Sequence, residues 1–278
     1  MISDSKTETD LNKSLSSAEL IEAALQEKDG DVRWEYVQAL HMRGEREIFE
    51  QAVRLCQSKD STKAILGADI LGQLGTPNFP FHKESVPVLL KLIGNQQDES
   101  ALQAATMALG RTGDSRALEK LIELKNHSSE EVRFAVVHGL LTLEDEKSIQ
   151  ALIELSVDED EDVRNWATFG LGSQIEVNTK EIRDSLFKRL DEEDDEIRGE
   201  ALVGLSIRKD KRVLDPLLKE LASEWVGVLV VEAAGELGDQ KLCRSLKDLE
   251  AWWDIDKDLL KSAITACCPK QLNETENS

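Results

Sequence analysis

EEVRFAVVHGLLTLE, residues 130–144, and EDVRNWATFGLG, residues 161–172, set the plan of the chain. Val132-Arg133 in the first stretch aligns with Val163-Arg164 in the second, 31 residues further on. Gly139-Leu140 aligns with Gly170-Leu171 at the same step. A recurring step of about 20–50 residues marks a stack of small units, each covering the apolar face of the next.

Val132 serves as the anchor of its copy. Working outward from it, the anchors of the other copies are Val32, Lys63, Ala101, Val163, Ile197, Val226 and Leu259. Seven places after the anchors stand Ala39, Ile70, Ala108, Gly139, Gly170, Gly204, Ala233 and Ala266. All but Ile70 are small. A small residue there lets one helix lie close against its neighbour, whereas a large one would hold the helices apart. Each copy reads as a helix A, a short turn and a helix B.

The copies resemble the short form of the HEAT repeat, whose pattern is roughly V-R-x-x-A-A-x-A-L-G-x-L-G-D. ALQAATMALGRTGD at 101–114 and VGVLVVEAAGELGD at 226–239 follow the second half of it. The resemblance implies an all-α fold, a right-handed α-solenoid of about eight HEAT-like helical hairpins. Their A helices would form one layer and their B helices another, lining a long concave groove. The expected division is a loose N-terminal segment 1–15, a single solenoid domain 16–268 and a flexible tail 269–278. Thr76–His82, with two prolines, reads as a longer loop. Phe79 and Phe81 are expected to plug its base or form a lip, and Pro87 and Pro216 to kink their helices.

The 278 residues include 55 acidic and 34 basic side chains, a formal charge of −21. That charge argues against a nucleic-acid surface and against docking on an anionic membrane. It suits a basic protein or peptide, with solubility alone as the plain alternative. The start, MISDSKTETDLNKS, lacks the basic-then-apolar pattern of a secretory signal, and no apolar run is long enough to span a bilayer. A cytoplasmic monomer is expected. Cys56, Cys243, Cys267 and Cys268 form no C-x-x-C pair and read as buried or half-buried thiols.

Positions two and six after each anchor share a face of helix B, being four residues apart. They give Trp34 and Gln38, Ile65 and Asp69, Gln103 and Met107, Phe134 and His138, Asn165 and Phe169, Gly199 and Val203, and Val228 and Glu232. Trp166 adjoins the row. Aromatic residues and methionine suit the centre of a protein interface, so Trp34, Gln38, Asp69, Gln103, Met107, Phe134, His138, Asn165, Trp166, Phe169 and Glu232 form the expected binding face. The competing reading shifts the phase by one residue and makes the row core. Trp225, Trp252 and Trp253 cluster near the end, where adjacent tryptophans cannot both point inward. They are expected to cap the stack.

Arg33, Arg133, Arg164 and Arg198 each directly follow an anchor residue. The family resemblance implies that they bond acidic or carbonyl groups at the adjacent turn. Asp31, Asp162 and Glu196 stand near enough in sequence to compensate them.

Catalytic patterns are weak. His41, His82, His127 and His138 form no H-x-x-x-H pair. One HEAT-repeat enzyme, deoxyhypusine hydroxylase, holds two irons through repeated His-Glu pairs. The matching places here are Phe134-Ala135 and Asn165-Trp166, so that ligand set is absent and no cofactor or metal is expected. The repeats are also similar to those of phycobilisome bilin lyases, and His138 beside Phe134 is compatible with a tetrapyrrole. The expectation is therefore a non-enzymatic protein-binding scaffold, an inhibitor or chaperone of a basic partner such as a toxin or nuclease. A bilin-lyase-like enzyme or tetrapyrrole chaperone is the alternative.

Overall fold

The structure, a computed structural model, describes residues 14–96, 98–143 and 145–268. The expected loose start, apart from residues 14 and 15, and the expected tail lie outside the described residues. Those residues form sixteen α-helices and no strand, in a HEAT-like α-solenoid. The A helices are α1 (Ser17–Gln26), α3 (Arg46–Cys56), α5 (His82–Asn95), α7 (Leu118–Leu124), α9 (Glu146–Leu155), α11 (Lys180–Arg189), α13 (Leu214–Leu221) and α15 (Cys243–Leu249). The B helices alternate with them: α2 (Gly30–Arg43), α4 (Ser61–Gln73), α6 (Glu99–Arg111), α8 (Glu130–Leu140), α10 (Glu161–Phe169), α12 (Asp195–Ile207), α14 (Val228–Leu237) and α16 (Lys257–Cys267).

The starts of these helices are written in their caps. Side-chain oxygens of Asp29, Asp60, Asp98, Ser129, Asp160, Asp194 and Asp256 accept amide hydrogens at the first turn of α2, α4, α6, α8, α10, α12 and α16. Each cap satisfies donors that the helix cannot pair itself. Ser16 and Glu19 close a capping box on α1. Only α14, among the B helices, begins without such a cap, at Gly227.

Two compact units, 1–151 and 152–278, divide the chain, the division falling inside α9. In the first, α4, α6 and α8 pack side by side, backed by α3, α5 and α7. In the second, α10, α12, α14 and α16 pack in succession, backed by α11, α13 and α15. The core follows the repeat register. Leu40, Leu71, Leu109, Leu140, Leu171, Leu205, Ala234 and Cys267, each eight places after its anchor, are all buried. Helices touch through glycine: a Cβ on Gly110 would lie 2.4 Å from the Gly139 Cα, and one on Gly204 would lie 2.5 Å from the Gly172 Cα.

Several local expectations change. Pro87 does lie inside α5, and a proline there frees the carbonyl four residues back. That carbonyl, on Lys83, accepts a bond from Arg116 Nη2 at 3.0 Å. Pro216 stands in the first turn of α13, where no amide is needed, so it gives no reason for a kink. Phe81 stacks on Phe49 of α3 with ring centroids 5.0 Å apart, plugging the base of the loop, and Phe79 stacks on His82 at 4.3 Å. Trp253 is 3% exposed and donates its indole hydrogen to the Val226 carbonyl, whereas Trp252 and Trp225 are exposed.

The cysteine expectation is half wrong. Cys243 and Cys268 form a disulfide, because the first residue of α15 and the cap residue of α16 bring their Cα atoms within 5.1 Å. Cys56 and Cys267 are buried thiols, and burial pushes the Cys56 thiol up to about 12.

One buried cation organises the second unit. After α10 the chain makes a wider helical turn, Gly170–Gln174. Arg208, at the end of α12, donates to the carbonyls of Gly172 (2.8 Å), Ile175 (2.5 Å), Val177 (3.2 Å) and Gly204 (3.0 Å). The guanidinium carries five donors in a rigid fork and so can satisfy several backbone acceptors at once.

Candidate protein-binding face

The B-helix row is not core. None of its eleven predicted binding residues is buried: Gln38 and Trp166 are exposed and the others are half-buried. The phase error that would have sealed the row inside the stack is therefore absent.

In the first unit, Trp34 meets His41 edge-on with centroids 5.9 Å apart, and Phe134 meets His138 at 4.6 Å. Gln103 and Met107 lie half-buried on α6. Asp69 accepts a bond from Arg33 Nη2 at 2.9 Å, and the buried His41 ring meets the Asp69 backbone carbonyl through Nε2, also at 2.9 Å. Burial pushes the Asp69 carboxyl up, against the opposing pull of Arg33 and Arg111. Burial, followed by the charge of Arg111, holds the His138 imidazole below its usual range. Arg33 and Arg111 thus both act on the Asp69 carboxylate, and Arg111 acts on His138 as well.

In the second unit, Trp166, 37% exposed, meets Phe169 edge-on at 5.5 Å. Asn165 donates to Glu196 Oε2 at 2.9 Å across two successive hairpins. The row breaks at α12, where Gly199 and Val203 are buried. Leu229 lies so close to Gly199 that a Cβ there would meet it at 2.7 Å. Carboxylates take over at this point. Glu200 is half-buried and accepts from Ser173 Oγ at 2.9 Å. Burial pushes the Glu200 carboxyl up, and the charges of Glu232 and Glu196 push the same way. Glu232 is raised by burial and by Glu236. Glu200 was missed by sequence reasoning, because it stands three places after its anchor, Ile197. Its four-residue spacing from Glu196 was the available signal.

Three of the four repeated arginines hold the turns. Arg133 donates to the carbonyls of His127 and Ser128, Arg164 to those of Asp158 and Glu159, and Arg198 to those of Glu192 and Glu193, all at 2.7–3.2 Å. Their expected compensating acids are replaced. Arg33 pairs with Asp69 of the next hairpin, Arg164 lies 3.8 Å from Glu192, and Arg198 pairs with Asp195 and Glu220. Among the described residues no three His, Cys, Asp or Glu side chains gather as a metal site. No helix among them is long and apolar enough to cross a membrane.

Comparison with known proteins agrees with this architecture. The chain matches the family described as HEAT repeats over residues 86–172 and 155–234. Protein YibA of Escherichia coli K12 is 32% identical over 236 residues, which cover 81% of each chain. An X-ray structure of the Escherichia coli YibA protein superposes with a TM-score of 0.78 at 28% identity, covering 96% of this chain and 97% of that one. Importin beta superposes with a TM-score of 0.52 at 16% identity, over 89% of this chain and 43% of that chain, a likeness of fold alone. Nothing among these matches supports the resemblance to bilin lyases. The register of buried residues, the paired helices and these matches agree, and the chain belongs to the HEAT-repeat family.

Proposed function

We propose that the protein is a non-enzymatic scaffold that binds a basic protein partner through the B-helix faces, as its inhibitor or chaperone. The repeat-solenoid fold is typical of protein-binding proteins. The observation that carries the reading is the interacting carboxylates Glu196, Glu200 and Glu232, of which Glu196 and Glu200 are bonded by Asn165 and Ser173, on either side of Trp166 and Phe169 in the chain. Burial and like charge raise Glu200 and Glu232, so holding them ionised costs the fold stability. The Ser173 bond offsets part of that cost at Glu200. A cationic partner would relieve it, and the exposed Trp166 with the half-buried Phe169 would anchor the contact.

The sign of the pH dependence follows. A carboxyl raised in the folded state binds its proton more tightly there than in the unfolded chain. Its charge therefore begins to destabilise the fold as pH rises past the unfolded value of about 4.3, and does so fully above the folded value. Glu200→Gln keeps an oxygen that can accept from Ser173. It is expected to raise the melting temperature by about 2 °C at neutral pH and to leave it unchanged below about pH 4. The same variant should bind the partner roughly tenfold more weakly in isothermal titration calorimetry. Undiminished affinity in Glu200→Gln and in Phe169→Ala would remove the reading.

A further inference from the structure

A cleft in the second unit adjoins the predicted row, sharing Gly199 and Val228 with it. It has a volume of about 200 Å³ and is lined by the starts of α12 and α14 and by the end of α13. Its inner wall is apolar, made by Leu202, Val228, Leu229 and Val230. Trp225, 61% exposed, forms its open side, the indole lying over Gly227, where a Cβ would meet the ring at 3.2 Å. The mouth carries Asp195, Glu196 and Glu220 against a single cation, Arg198.

Arg198 uses only part of these carboxylates. It donates to Asp195 Oδ1 and to Glu220 Oε1. Among the described residues, Asp195 Oδ2, Glu220 Oε2 and Glu196 Oε1 accept no hydrogen bond, and a carboxylate can accept several. The cleft thus combines three requirements of one side-chain type. The apolar wall suits an aliphatic stem, the indole face attracts a cation, and the mouth offers acceptors where the stem would end. A purely apolar side chain would leave the mouth unanswered, and an acidic one would be repelled by it.

We propose that this cleft takes a single arginine side chain of the protein partner. Its methylene stem lies along Trp225 and Val228, and its guanidinium lies among Asp195, Glu196 and Glu220. The assignment rests on the scaffold reading and gives that reading a defined contact.

The test uses the full chain and three blocked Gly-X-Gly tripeptides, with X arginine, norleucine or glutamate. The indole N–H resonances of the ¹⁵N-labelled protein are followed at about 0.15 M salt, where long-range attraction to net charge is screened. The Trp225 signal is identified by its absence in Trp225→Phe. The arginine peptide is expected to shift this indole saturably, while the norleucine and glutamate peptides do not. Trp225→Ala and Glu196→Gln should each weaken arginine-peptide binding by roughly tenfold, judged from the remaining shifts of neighbouring backbone amides. Trp225 is largely exposed and glutamine still accepts from Asn165, so both variants should retain the fold. Norleucine shifting Trp225 as strongly as arginine would overturn the assignment in favour of an apolar plug. Shifts confined to other tryptophans, or none with arginine, would overturn it too. Those results leave the scaffold reading intact, since that reading is tested separately by the partner's response to the Glu200 and Phe169 variants.

Discussion

Arg208→Ala is expected to destabilise the protein by about 3–5 kcal/mol, measured by chemical denaturation with tryptophan fluorescence. The guanidinium holds four backbone carbonyls: Gly172 in the wider turn, Ile175 and Val177 in the segment after it, and Gly204 in α12. Three of these contacts cross from α12 to the wider turn after α10 and the segment that follows it. Alanine would leave the buried acceptors of Gly172, Ile175 and Gly204 without this donor, and each such loss exposes the desolvation penalty of its carbonyl. It would also open a void where the side chain is now buried. Arg208→Lys should recover only part of the loss. A single ammonium carries the charge but not the planar fork that reaches acceptors on several sides. A loss below about 1 kcal/mol for Arg208→Ala would show that water replaces the guanidinium freely there.

Gly110→Ala should destabilise by about 2–3 kcal/mol, while Gly94→Ala should stabilise by about 0.5–1 kcal/mol. Both glycines lie in helices, and intrinsic propensity favours alanine at both. Packing separates them. A Cβ on Gly110 would stand 2.4 Å from the Cα and 3.0 Å from the N of Gly139, backbone atoms that no rotamer change can move aside. α6 and α8 would have to part, and every apolar contact along that seam would loosen. A Cβ on Gly94 would meet nothing within 4 Å, at an exposed site. Thermal denaturation of the pair checks the account through opposite signs, which a general sensitivity to substitution cannot produce.

The hairpin count was legible because it rests on a single repeated residue class. The position eight places after the anchor is buried in every copy, and the small residue before it includes the Gly139 and Gly204 contacts. The row of half-buried and exposed residues was legible for a related reason. Positions two and six lie well around the helix from positions seven and eight, so fixing the core phase fixes the exposed face. What stayed hidden depends on partners in other hairpins. Arg33 was paired in sequence with Asp31, yet it meets Asp69, 36 residues away. Arg208 carries no repeat signature, because its role arises from the irregular turn at Gly170–Gln174, which only the structure displays. Cys243 and Cys268 meet because the end of one helix returns to the start of another, a geometry that spacing alone does not specify. Glu200 was overlooked because two face positions were considered and it occupies a third, three places after its anchor.

The central claim is that a protein partner seats on the B-helix faces, and carboxyl footprinting of the native complex tests it most directly. Glu196, Glu200 and Glu232 should lose reactivity when the partner binds, while Glu47 and Glu123 on the A helices keep theirs. Protection of Glu47 and Glu123 with unchanged reactivity at Glu196, Glu200 and Glu232 would contradict it.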